Sequence, residues 1–135
     1  MHVCMSCYEK YEGRFLDIAN RYGETFCPKY ECHGNVIELD ELIAPVIIML
    51  NQKGYLTKFC CSGHWYELVS TPYIYFHEGF IPGTVPESFK IDDHNSDTIR
   101  ATYEENDQES KYDWVIRVNK ELYEWVEGLP ELEWL

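Results

Sequence analysis

The sequence predicts an α+β fold: a mostly antiparallel sheet covered by two helices, with a small cysteine-bearing lobe at the N-terminus. Three observations carry this. Short runs rich in aromatic and β-branched residues recur through the middle of the chain, two longer segments show apolar residues at helical spacing, and four of the six cysteines fall between residues 4 and 32. With 135 residues, 45% of them hydrophobic and 26% charged, the chain suits one globular body able to bury a core of its own. No repeat, low-complexity run or Ser/Gly linker divides it, so the cysteine distribution alone marks residues 1–38 as the lobe and 39–135 as the body.

In chain order, Phe15, Ile18, Ala19 and Tyr22 recur at helical spacing and Gly23 supplies a stop, which predicts a short helix. Residues 24–26 and 35–38 flank the turn chemistry of Cys27-Pro28 and His33-Gly34, a pattern for a short hairpin with cysteines at its tip. Asp40 is placed to cap the next helix, whose apolar face is Leu42, Ile43, Val46, Ile47, Met49 and Leu50 and whose end is Gly54. Pro45 lacks an N–H and crowds the preceding turn, so this helix either begins near that residue or carries an irregular first turn.

From Tyr55 the pattern changes. Residues 55–61 read as a strand with Tyr55, Thr57, Phe59 and Cys61 on one face, ending at Ser62-Gly63. Further strands are expected at 65–69, 73–76 and 99–104, with a short one at 89–91 and a Pro- and Gly-bearing loop over 78–88. At the C-terminal end, Ser110-Lys111-Tyr112-Asp113 has the form of a capping box with Asp in its last place. Val115, Val118, Leu122, Trp125 and Leu129 continue as one apolar stripe that should pack on the sheet, closed by Gly128 and Pro130.

The chemistry of the lobe follows from spacing. Cys4-x2-Cys7 lets two thiolates of a tight knuckle face one ion, and Cys27-x4-Cys32 offers a second, wider pair in which His33 is an alternative to Cys32. Zinc takes four such ligands in a closed structural site, so Cys4, Cys7, Cys27 and Cys32 are the expected metal ligands. Such a site has no open position for substrate, and its contribution is folding energy. Buried free thiols are the competing reading, and a disulfide framework is disfavoured because nothing at the N-terminus reads as a secretory signal. The expected location is the cytoplasm. Cys-x2-Cys as a redox motif would need a βαβ setting that the residues around Cys4 do not offer.

A second constellation, Cys60-Cys61-Ser62-Gly63-His64, sits where a strand runs into a glycine turn. Backbone amides and small side chains at such a turn can meet a small ligand, or His64 can lower the pKa of a neighbouring cysteine and make it reactive. The competing reading is a tight turn with one cysteine facing the core and the other half-exposed. His77 and Glu78 end the 73–76 strand and are expected to meet His64 if the two strands are antiparallel neighbours. Asp92, Asp93 and His94 have the composition of a turn before a strand.

Net charge is -13, and the imbalance is concentrated in the second half, since residues 68–135 carry fifteen acidic and five basic side chains. This disfavours non-specific nucleic-acid binding, which depends on Lys and Arg displacing counterions, although Lys10, Arg14, Arg21 and Lys29 are grouped near the cysteines. No apolar run approaches the length of a membrane span.

The stretch from Asp40-Glu41, through the apolar helix ending at Asn51 and the strand residue Thr57, to Cys61-Ser62-Gly63, together with Tyr73-Ile74-Tyr75-Phe76-His77-Glu78, resembles the core of the wybutosine-type tRNA methyltransferase family. That family shows an acidic residue, a helix ending near Asn, a strand with Thr, then Ser-Ser-Cys-Ser-Gly-Arg. His64 stands where the family has Arg. The resemblance covers about 40 residues and implies S-adenosylmethionine as a cofactor beside the Cys-Ser-Gly turn, with a nucleoside or small substrate. Three functions are therefore expected, in order. The first is a zinc-stabilised cytosolic binding protein, its partner a small molecule or a protein, with a small-ligand pocket at Cys60, Cys61, Ser62, Gly63, His64 and His77. The second is a methyltransferase-like enzyme, and the third is an acidic module that docks on a basic surface.

Overall fold

Alternation along the first strand joins two hydrophobic clusters. The computed structural model describes residues 1–11, 27, 31–32, 34–64, 66, 71–106 and 108–132. Its strand β1 (His2–Cys4) is flanked by β2 (Lys10–Tyr11) and β3 (Val36–Glu38) in a three-stranded antiparallel sheet of order β2-β1-β3. Successive side chains of a strand point to opposite faces. Val3 therefore enters the main core, while Cys4 enters a small cluster with Cys27 and Val36. The expected helix over 15–22 and the strand over 24–26 lie outside the described residues.

Helix α1 (Ala44–Gln52) buries Ala44, Val46, Ile47 and Leu50. Its start differs from expectation. Ile43 is the N-cap, no side chain caps the helix, and Pro45 sits in the first turn, where its missing N–H costs no hydrogen bond. The Asp40 carbonyl, not its carboxylate, accepts the N–H groups of Ile43 and Ala44 at 3.2 and 3.0 Å. The helix stops as predicted at Gly54: its N–H bonds to the Asn51 carbonyl and that of Tyr55 to the Leu50 carbonyl, the paired bonds of a Schellman ending.

Strands β4 (Thr57–Cys61), β5 (Tyr73–Phe76), β6 (Lys90–Asp92) and β7 (Asn95–Arg100) form an antiparallel sheet of order β4-β5-β7-β6. β5 has the predicted bounds. The strand expected over 99–104 instead occupies Asn95–Arg100, and residues 101–104 have no regular structure. The cause is the turn before it: the Asp92 carboxylate accepts the His94 N–H at 2.8 Å, so the chain reverses early and Asn95 pairs with Asp92 of β6. Of the strand expected over 65–69, only Tyr66 is described, and it lies in a turn.

Helix α2 (Lys111–Gly128) begins as the capping box predicts, with Ser110 Oγ accepting the Asp113 N–H at 3.1 Å. It packs against α1, and its buried face of Trp114, Val115, Val118, Leu122 and Val126 joins the cluster that holds Ile74 and Phe76 of β5 and Ile99 of β7. Phe59, Tyr73 and Tyr75 belong to the opposite face of the sheet, where the Arg100 guanidinium lies 4.8 Å from the Tyr73 ring centre. Among the described residues, no helix is long and apolar enough to cross a membrane.

Candidate metal centre and ligand cleft

β1 and the turn that follows it bring the first two cysteines together. Cys4 ends the strand, the Tyr8 N–H closes back on the Cys4 carbonyl at 2.8 Å, and Tyr8 takes φ of +61°, a left-handed backbone that a tyrosine adopts only under constraint. Inside the turn, the N–H groups of Ser6 and Cys7 approach Cys4 Sγ at 3.4 and 3.5 Å. Cys27 and Cys32 arrive from the other side, where the Cys27 N–H bonds to the Gly34 carbonyl at 2.8 Å and Glu31, next to Cys32, is also left-handed.

All four sulfur atoms lie within 4.8 Å of one another. Cys4 and Cys32 are separated by 3.6 Å and Cys7 and Cys27 by 3.7 Å. These are too long for disulfide bonds, and none of the four is in a disulfide. Four thiolates at about 2.3 Å from one tetrahedral ion would be separated by about 3.8 Å, so the spacing fits an S4 metal site. Cys32 supplies the fourth sulfur, while His33 lies outside the described residues.

The electrostatics agree. At Cys7 a backbone hydrogen bond at Glu9 works to lower the pKa, but burial and the neighbouring thiols Cys4, Cys27 and Cys32 outweigh it and push the thiol up to about 12. Cys32 is likewise raised: the backbone at Gly34 pulls it down, and burial with Cys4 and Cys27 pushes it up. Thiols this crowded do not ionise together unless a cation sits among them. Tyr11 adds an outer contact, its hydroxyl 3.0 Å from Cys27 Sγ, and that bond is the main cause of its raised pKa. Gly34 packs so closely that a Cβ there would fall 2.6 Å from Cys4 Sγ, so only glycine fits beside the sulfur cluster.

The second constellation lies at the far end of β4. Cys60 pairs with Ile74 and packs on the core, and burial, helped by Asp40 and Cys61, pushes its thiol up to about 12. Cys61 pairs with Tyr73 on the other face. Gly63, with φ of +88° and buried, turns the chain so that His64 Nε2 comes back to 3.5 Å from Cys61 Sγ, while the Gly63 N–H points at the same sulfur at 3.4 Å. Asp40 completes the group: its Oδ2 accepts from the Ser62 N–H at 3.2 Å and the Ser62 hydroxyl at 3.0 Å. The Tyr66 hydroxyl is 3.3 Å from His64 Nδ1.

A cleft of about 500 Å³ opens over this turn, lined by Asp40, Ser62, Gly63, His64, Tyr112 and Ile116 among others. Four of the six residues expected to form a ligand site are thus gathered at one turn. Cys60 faces inward. His77 is not brought there, because antiparallel pairing sets Thr57 opposite Phe76 and Cys61 opposite Tyr73. His77 therefore lies beside Leu56, to whose carbonyl its N–H bonds at 2.9 Å, at the opposite end of the strand pair from His64. In the sequence Asp40 reads as a helix cap, and Tyr66 falls within an expected strand. The contact of Asp40 with Ser62 spans 22 residues and leaves no local signature, whereas Tyr66 stands two residues from His64 and was within reach of a local reading.

Comparison with known proteins returns no significant match: no family model, no curated protein and no solved structure.

Proposed function

We propose that this chain is a zinc-stabilised binding protein, with a structural zinc held by Cys4, Cys7, Cys27 and Cys32 and a ligand cleft over the Ser62-Gly63-His64 turn. The observation that carries the first part is the pair of sulfur separations, 3.6 and 3.7 Å, close to the edge of a zinc–thiolate tetrahedron. Zinc is the ion favoured by four soft sulfur ligands in a closed tetrahedral site. The four thiolates and one divalent ion sum to two negative charges, and with no open position the ion serves to fold the lobe. Because Val3 and Cys4 are neighbours on one strand with opposite faces, ordering the sulfur cluster also fixes β1 against the main core.

The second part is supported by convergence. Asp40, Ser62, Gly63 and His64 bring a carboxylate, a hydroxyl, a tight turn and an imidazole to one open cleft beside half-buried Cys61.

Metal analysis of the purified full chain tests the structural site. Tightly bound zinc is expected, with Cys7→Ser and Cys27→Ser each lowering both zinc content and melting temperature. A chain that carries no zinc, and whose melting curve is the same with and without a strong chelator, would remove the proposal.

A further inference from the structure

We infer that Asp40, Cys61 and His64 form a second divalent-metal site, separate from the four-cysteine cluster, with a coordination position open to the cleft. The inference deepens the reading of the cleft as the ligand-binding face and does not depend on which ion the cysteine lobe holds.

Three observations carry it. One ligand atom from each of the three residues lies within 4.8 Å of the others. Cys61 Sγ and His64 Nε2 are 3.5 Å apart, and a sulfur at about 2.3 Å and a nitrogen at about 2.05 Å from one tetrahedral ion would be separated by about 3.5 to 3.6 Å.

The second observation is a repeated local turn. At Cys4 the N–H two residues on approaches Sγ at 3.4 Å and the residue three on supplies the next ligand, Cys7. At Cys61 the Gly63 N–H approaches Sγ at 3.4 Å and the residue three on is His64. Cys61-x2-His64 thus reproduces the sulfur-accepting turn of Cys4-x2-Cys7 with imidazole in place of the second thiolate.

The third is that both non-sulfur ligands are already held by neighbours. Metal-bound histidine is normally fixed through its other nitrogen, and the Tyr66 hydroxyl meets His64 Nδ1. Ser62 donates twice to Asp40 Oδ2, which orients the carboxylate toward the turn.

The donor set states the class of ion and its consequence. One carboxylate, one thiolate and one neutral imidazole balance a divalent charge, and sulfur with nitrogen selects a borderline ion such as zinc over calcium or magnesium. Three protein ligands leave a fourth position for water or a small donor molecule, and two of the three, Asp40 and His64, line the cleft.

Cobalt(II) titration of metal-free full-length chain tests this, read by absorption and by bound metal per chain. The wild type should take up two equivalents. His64→Ala and Cys61→Ala should each lose one, while retaining the intense sulfur-to-metal absorption of the four-cysteine site and an unchanged melting temperature of the loaded lobe. Cys7→Ser should show the converse, keeping the weaker single-sulfur signal, so failure of either site is recognised by itself. Tyr66→Phe should weaken the second equivalent by roughly tenfold. Saturation of that equivalent should slow alkylation of Cys61 by iodoacetamide at least tenfold. One equivalent in the wild type, undiminished by His64→Ala, would overturn the inference. So would Cys61 alkylation at the same rate with and without cobalt, which would mark Cys61 and His64 as a thiol and its base.

Discussion

Lys53 caps the end of a helix that lies far along the chain: its ammonium donates at 2.7 Å to the carbonyl of Val126, 73 residues later. The same Nζ reaches the carbonyls of Glu127 at 3.0 Å and Leu129 at 2.7 Å, so one cation serves the unpaired end of α2. Nearby, Tyr55 donates to the Pro130 carbonyl and the Leu132 N–H to the Lys53 carbonyl, both at 2.7 Å. The last turn of α2 has no basic residue of its own. A positive charge there satisfies orphan carbonyls and opposes the helix dipole. Lys53→Met keeps most of the stem and removes the charge, and should cost about 2 kcal/mol, lowering the melting temperature by roughly 6 °C. Thermal unfolding of the two proteins measures this. A shift under one degree would show that water serves those carbonyls as well.

Gly34 gives a prediction specific to the sulfur cluster. A Cβ at this position would sit 2.6 Å from Cys4 Sγ and from both Cβ and Oγ of Ser6, far inside contact distance. Gly34→Ala must therefore push the chain entering β3 away from the Cys4 knuckle. Zinc affinity measured by chelator competition should fall at least tenfold, with the helical circular dichroism of the body retained. Equal affinity would mean that the lobe has slack that these distances do not show.

Gly34 also shows where sequence reading reaches its limit. The residue was legible as turn chemistry beside His33, but its contact with Cys4 is set by a chain reversal 30 residues away. Local signals survived folding well: Ser110 caps α2, Gly54 ends α1, and the Cys4-x2-Cys7 knuckle forms. Those features depend on a few neighbouring residues. Asp40 failed as a helix cap because a distant hydroxyl, Ser62, competes for its carboxylate and wins. His77 does not meet His64 because antiparallel strands set the end of β5 beside the start of β4, a consequence of strand direction. Asn95 to Asp97 join β7 against their propensity: Asn95 pairs with Asp92 of β6, and the Asp97 N–H bonds to the Asn95 side chain.

Two carboxylates with lowered pKa contribute to the acid limb of stability. The Glu109 carboxyl is held below its ordinary value by the Arg117 guanidinium, which donates to both carboxylate oxygens at 2.8 and 3.1 Å. Asp92 is held low in the same direction, by the His94 N–H and then by Arg100. A carboxyl whose folded pKa is depressed stabilises the fold at pH above its unfolded value and loses that contribution as pH falls through the folded one. Arg117→Met should return the Glu109 pKa toward 4.5, its ordinary value, and flatten the fall of stability in acid. Side-chain carbon NMR titration of Glu109 reads the shift directly. An unchanged midpoint would mean that the pair is not populated in solution.

Asn119 ties the stability of α2 to the candidate site. It is buried in the helix, and its Nδ2 donates to the Ser62 carbonyl at 2.9 Å and to the Val115 carbonyl at 2.8 Å. Among the described residues its Oδ1 is buried without a hydrogen-bond partner, a desolvation cost set against those two donations. Asn119→Ala relieves the orphaned oxygen but leaves the Ser62 carbonyl without this donor and opens a small void, a net loss of about 2 kcal/mol. Asn119→Asp should be worse than Ala, because a carboxylate would face two carbonyl oxygens in a dry interior. The effect should also travel. Ser62 is the residue that holds Asp40, so a turn freed from Asn119 should orient that carboxylate less well and weaken the second cobalt equivalent, while leaving the four-cysteine site untouched. Denaturant unfolding and cobalt titration of the Ala variant separate the two consequences. Lower stability with an unaltered second equivalent would confine Asn119 to packing and leave Ser62 alone responsible for positioning Asp40.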